Sequence, residues 1–222
     1  MNTSLKKRIT YTGAGIAALA AAMLVTIGAT MALFSATQTG GTNQFSTGTV
    51  SVADRPASVT CNVSSMLPGD SSASFGSGSA SLPTCDYRVK YTGSAPAYLA
   101  VDVLVGSGSP SLFTGGSTGA QFKLAVSGGA TIVNGTAYKT QAGTDTAVSA
   151  GTAVTNILLS ATPAVTDDEV TFTLDYALPL AAPNSLQGGS TSVTLTFHAV
   201  QAANQSLGTC AAGRQCTSIT WG

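Results

Sequence analysis

The sequence predicts an all-β protein, a two-sheet sandwich that follows an N-terminal signal helix. Three observations carry this reading. Apolar residues recur at every second position in segment after segment beyond residue 50, the period of strands with one buried face. Charged residues make up only 8% of the 222 residues, against roughly 25% in ordinary soluble domains. Finally, an apolar run with three cations ahead of it occupies the start of the chain.

The composition excludes several classes. The formal net charge is zero, whereas a phosphate-binding surface needs clustered Lys and Arg, so no nucleic-acid partner is expected. A chain that is 44% hydrophobic and poor in charge can bury a core and is not disordered through self-repulsion. Helical bundles need Glu, Lys and Arg for their wet faces, and these are scarce. Ser and Thr supply about a quarter of the residues and Gly another 25. β-Branched Thr favours strands, which explains how sheet surfaces are made with so few charges.

Lys6, Lys7 and Arg8 precede an apolar stretch from about Gly13 to Phe34. This is the pattern of an export signal. Thr30-Met31-Ala32 supplies small residues for a signal peptidase, so cleavage is expected after Ala32, with Leu33 as the first mature residue. The run is also long enough to span a bilayer if it is retained, and an uncleaved signal is the only membrane association expected. Processing removes three of nine cations and none of nine acids, which takes the net charge to about −3. Residues 1–32 are thus read as a signal peptide and 33–44 as a flexible Gly/Thr-rich arm. Residues 45–205 are read as the sandwich domain and 206–222 as a short C-terminal tail.

The strand rows follow in order. Val50 with Val52 and Val59 with Val63 form short rows. Tyr87, Val89 and Tyr91 alternate with Asp86, Arg88 and Lys90. Leu99, Val101, Val103 and Val105 form a longer row, Phe122, Leu124 and Val126 a shorter one, and Val154–Leu159 another. Val170, Phe172, Leu174, Tyr176 and Leu178 share a face opposite Thr171, Thr173 and Asp175. Val193, Leu195, Phe197 and Ala199 point inward while Thr194, Thr196 and His198 point out. Eight or nine short strands with Gly/Ser/Pro turns make a sandwich. Gly106–Gly119 and Thr136–Ala150 are left open to a short helix.

Cys61, Cys85, Cys210 and Cys216 all lie beyond the signal. Their successive separations of 24, 125 and 6 residues lack the close pairs of a zinc site. Even number and export point to disulfides. Four cysteines allow three pairings. The sequence-local one, Cys61–Cys85 with Cys210–Cys216, needs no assumption about tertiary contacts and is the expected one.

Several stretches resemble the TasA/camelysin family of exported Gram-positive proteins. Gly28-Ala29-Thr30-Met31-Ala32-Leu33-Phe34-Ser35 is similar to that family's signal end. Phe45-Ser46-Thr47-Gly48-Thr49-Val50-Ser51-Val52 resembles its F-x-x-G-T strand, and Leu67-Pro68-Gly69-Asp70 its P-G-D turn with one residue fewer. Tyr91-Thr92-Gly93-Ser94 resembles its N-x-G-S segment. Leu186-Gln187-Gly188-Gly189, leading into Val193–Ala199 and Gln201, resembles its closing strand. The four cysteines and the tail depart from the family's pattern.

The resemblance implies a jelly-roll-like sandwich, signal removal by a SipW-type signal peptidase and a location in the extracellular matrix or at the cell surface. It implies a homopolymeric, biofilm-matrix type of fibre in which an N-terminal strand of one subunit completes the sheet of the next. In this chain that arm carries Leu33, Phe34 and Phe45 as anchors. A monomeric cell-surface adhesion or carbohydrate-binding module is the alternative. No cofactor, metal or catalytic residue is expected. A zinc peptidase needs two His one helical turn apart and a Glu base, and this chain has one histidine, His198, and one glutamate, Glu169. His198 is expected as a solvated strand residue. Thr166-Asp167-Asp168-Glu169 is read as a charged turn rather than a calcium loop. Tyr87, Tyr91 and Tyr98 are weighed as a carbohydrate platform, with Tyr87 and Tyr91 assigned to the core row.

Overall fold

A computed structural model describes residues 35–38, 52–54, 60–72, 75, 81–127 and 129–221. The chain divides into a first unit, Met1–Leu33, and a second, Phe34–Gly222, which holds all the described residues. The signal segment, the Ala32–Leu33 junction, Phe34 and Phe45 lie outside the described residues.

Among the described residues fourteen strands follow one another: β1 (Ser35–Gln38), β2 (Val52–Asp54), β3 (Thr60–Ser64), β4 (Ser71–Ser72), β5 (Ser81–Leu82), β6 (Cys85–Tyr91), β7 (Ala97–Val105), β8 (Gln121–Val126), β9 (Thr131–Gly135), β10 (Ala137–Lys139), β11 (Asp145–Ala147), β12 (Ala153–Leu158), β13 (Glu169–Ala177) and β14 (Ser190–Gln201). A single 3-10 turn at Asn184–Leu186 precedes β14. The strand count exceeds the eight or nine expected because pieces of two or three residues carry too few side chains to show a period. The segments left open to a helix hold none. Thr136–Ala150 contains β10 and β11, and no strand or helix falls within Gly106–Gly119.

The strands form two sheets. The five-stranded sheet runs β1-β14-β7-β12, with β3 also pairing to β14. The nine-stranded sheet runs β11-β10-β9-β8-β13-β4-β5, with β6 pairing to β13 and β2 to β6. All pairings are antiparallel except the short β4–β5 contact. The alternating rows of β6, β7, β8, β13 and β14 face each other and form one core. Phe172 of β13 and Phe197 of β14 meet across the two sheets with ring centroids 5.4 Å apart, and Phe113 packs on Phe122 at 5.6 Å.

Tyr87 and Tyr91 belong to this core. Tyr98 points to the opposite face of β7, where it packs with Leu158, Val200 and the tail. The three rings therefore form no common platform. Burial pushes the Tyr87 phenol upward and the Tyr91 phenol from 10.0 to about 12, because an ionised phenolate loses its hydration there. The Tyr91 hydroxyl also donates to the Ala95 carbonyl. Below pH 10 both folded and unfolded chains hold a neutral phenol, and above it the unfolded chain ionises first. Stability is expected to fall between pH 10 and about 12. Urea midpoints followed across that range, with tyrosinate absorbance alongside, check this, and Tyr91→Phe should remove part of the fall.

Two turns at the ends of β13 share one device. In Leu67-Pro68-Gly69-Asp70, Gly69 adopts φ +95°, a conformation that glycine reaches without steric cost. The Asp70 amide donates to the Leu67 carbonyl at 2.9 Å, and the Leu67 amide donates back to the Asp70 carboxylate at 2.7 Å. In Val165-Thr166-Asp167-Asp168 the Asp168 amide and carboxylate repeat these bonds with Val165 at 3.0 and 2.8 Å. Asp167 pairs with Lys90 at 2.5 Å and Glu169 with Arg88 at 3.0 Å. The carboxylates of this charged turn are thus engaged in the turn itself and in ion pairs with β6.

Asp175, expected on the wet face of β13, is buried. Its carboxylate accepts from the Ser72 hydroxyl at 2.9 Å, and that hydroxyl also accepts from the Tyr176 amide at 3.0 Å. Pairing of β4 beside β13 brings Ser72 over a position that alternation alone leaves in solvent.

Candidate functional site: the shared edge of β14

β14 is the longest strand, at 12 residues, because its Thr-rich outward row and apolar inward row continue without a turn residue. One of its edges is covered by β7 from Val193↔Val105 to Gln201↔Ala97. Two separate strands share the other edge. β3 pairs with the first part, from Ser190↔Ser64 to Thr194↔Thr60. β1 pairs with the last part, through Ser35↔Val200, Ala36↔Ala199, Thr37↔His198 and Gln38↔Phe197.

The two occupants are held differently. β3 carries Cys61, which is joined to Cys85 of β6 in the facing sheet. A covalent bond between the sheets therefore fixes β3 against β14. β1 is attached to this edge through four residue pairs, and the paired segment is short for a strand. Part of the segment expected as a free arm thus lies as a strand on its own chain. The physical reason is that β14 runs beyond the reach of β3, and its remaining N–H and C=O groups need partners.

A polar network that alternation did not reveal links β14 to β7 and β12. His198 is expected in solvent, yet its side chain is only 12% exposed and its Nε2 lies 2.9 Å from Asp102 Oδ2. The other oxygen of Asp102 accepts from the Asn156 amide at 2.7 Å. Asn156 sits at the bulge of β12, where the register with β7 shifts, and has φ +61°. Asn is one of the few residues that take this conformation readily. The sequence signal for the network was a lone Asp among apolar residues in β7. Its two partners come from β12 and β14, 54 positions away for Asn156 and farther for His198.

Of the residues singled out in the sequence, the structure brings Cys61 to Cys85 and Cys210 to Cys216. Leu33, Phe34 and Phe45 lie outside the described residues, so their side chains contribute no geometry. Among the described residues, no three of His, Cys, Asp and Glu lie close enough to hold a metal ion.

These features define a disulfide-stapled β-sandwich with a divided strand position at one sheet edge. Residues 4–75 match the family model described as camelysin metallo-endopeptidase, in agreement with the resemblance to the TasA/camelysin family drawn from the sequence. The matched segment contains both strands that occupy the β14 edge, the P-G-D turn and Cys61. Comparison with curated proteins gives no match, and comparison with solved structures gives none. The family's description implies a metal, and among the described residues the donors do not fit one. Residues 4–75 hold no His or Glu. His198 is tied to Asp102 and Glu169 to Arg88, and Asp70 closes its own turn.

Proposed function

We propose that this chain is an exported structural subunit of a cell-surface or biofilm-matrix fibre, not an enzyme, and that it assembles by N-terminal donor-strand addition. A SipW-type signal peptidase would release Leu33 as the new N-terminus. The observation that carries the reading is the unequal tenure of the β14 edge, where β3 is stapled and β1 is not. The β1 of a second copy would replace the resident β1 at Phe197–Val200 by the same main-chain bonds. Where a head-to-tail exchange of this kind does not close on itself, it propagates as a filament. Low charge reduces repulsion between stacked subunits. Leu33 and Phe34, next to β1, would add apolar anchoring.

Deleting Leu33–Asn43 tests this. The expected product is a folded monomer that forms no fibres under negative-stain microscopy. Added to the full processed chain, it should shorten the fibres, because it accepts a strand and donates none. Fibres of normal length from the deletion variant would refute the proposal. Pairing of β1 within its own chain favours the second reading, a monomeric surface module. Loss of the folded monomer on deletion would support that reading instead.

A further inference from the structure

The opposite edge of the five-stranded sheet is β12, and the C-terminal tail lies along it. The Gly213 amide donates to the Leu158 carbonyl at 2.8 Å, the Leu158 amide to the Arg214 carbonyl at 3.0 Å, and the Cys216 amide to the Asn156 carbonyl at 2.8 Å. On its other side the tail meets the nine-stranded sheet, where the Gln215 amide donates to the Lys139 carbonyl of β10 at 3.0 Å. The tail is thus a strand shared between the two sheets, bridging to Ile157 on one and Lys139 on the other.

Its side chains cover an apolar patch outside the main core. Cys216 and Ile219 are buried with Leu158 and Val200, and Tyr98, Leu207, Cys210 and Trp221 pack around them. Gly213 has φ +75°, and a Cβ there would lie 2.6 Å from Ala130 Cβ, so only glycine lets the tail approach β9 this closely. The Cys210–Cys216 disulfide closes the seven-residue loop that contains every one of these main-chain contacts. A chain that must avoid sheet-to-sheet association protects its edges in some such way.

We propose that the tail is a disulfide-locked cap that seals the β12 edge and the patch formed by Tyr98, Leu158 and Val200 against a second copy of this chain. The cap leaves the β1/β3 position as the open edge of the five-stranded sheet. With the lock removed, the exposed edge and patch pair laterally with the same surface on another molecule. This inference does not rest on fibre formation, because the cap is read within one subunit.

The test is the full chain carrying Cys210→Ala and Cys216→Ala, compared with the unaltered chain under the same conditions. Amide exchange at Leu158 and Cys216 should quicken by about tenfold or more, the chain-entropy advantage of so short a loop being lost. Exchange at β6 and β13 should stay the same, and light scattering should show concentration-dependent association beyond that of the unaltered chain. Gly213→Val, which displaces the tail with the disulfide intact, should act in the same direction. Unchanged exchange at Leu158 would overturn the proposal, and so would faster exchange without added association. Failure of both variants to fold would also overturn it, by making the tail a part of the core and not a removable cap.

Discussion

Replacing Phe197 with alanine is expected to lower the free energy of unfolding by about 3–5 kcal/mol, the range for removing a buried aromatic ring. Phe197 is 1% exposed and its ring faces Phe172 across the two sheets at 5.4 Å. The loss has two parts. The ring's transfer from water is forfeited, and a cavity opens in a place walled by two hydrogen-bonded sheets that cannot easily close on it. Against a total stability of about 5–15 kcal/mol for a domain, this is a large share, and close to the whole only at the low end of that range. Urea unfolding followed by circular dichroism measures it. The double variant with Phe172→Ala should cost less than the two single changes added together, because both rings leave the same cavity. A loss below about 1 kcal/mol would mean that the two sheets do not meet at these rings.

The second large effect concerns the staple between the sheets. Replacing Cys61 and Cys85 by serine removes a cross-link between residues 24 apart in sequence and is expected to destabilise the chain by about 3–4 kcal/mol on the chain-entropy account. The change is also local. β3 would then keep its main-chain bonds to β14 and its buried Val63 but lose its covalent tie to the facing sheet. Amide exchange in β3 should rise toward that of β1, while β13 retains its protection from β6 and β8. Denaturant midpoints under non-reducing conditions give the first quantity, and exchange mapped by mass spectrometry gives the second. If β3 kept its full protection, the disulfide would not be what distinguishes the two occupants of the β14 edge.

Much of the sandwich is legible in the sequence because alternation reports directly on which side of a strand is buried. The rows of β6, β7, β8, β13 and β14 point into the core as their spacing requires. The P-G-D turn is also readable, since it needs a residue that accepts positive φ and a carboxylate that reaches back to its own turn. The β9–β10–β11 meander is not readable, since β9 buries the adjacent Ile132 and Val133 and β10 and β11 have three residues each.

The candidate site was only partly legible for a related reason. Period two assigns a face and says nothing of the neighbour across the edge. That β14 is divided between β3 and β1 depends on pairings between residues more than a hundred positions apart. The buried Asp175 arises from an outward position that β4 reaches, and the His198–Asp102–Asn156 network from three strands far apart in sequence. Sequence proximity suffices to suggest Cys210–Cys216, but nothing local indicates that the loop between these cysteines bridges two sheets.

The sequence by itself therefore determined the all-β class, the core rows and the turn chemistry, all of them set by interactions within a few residues. Tertiary structure alone decided the occupants of the two edges of the five-stranded sheet. One is shared by a stapled and an unstapled strand, and the other is covered by the tail. The physical reason is that an edge is completed by main-chain N–H and C=O groups, which every residue carries alike. Which segment supplies them is settled only when the folded core brings the edges and the remaining chain together.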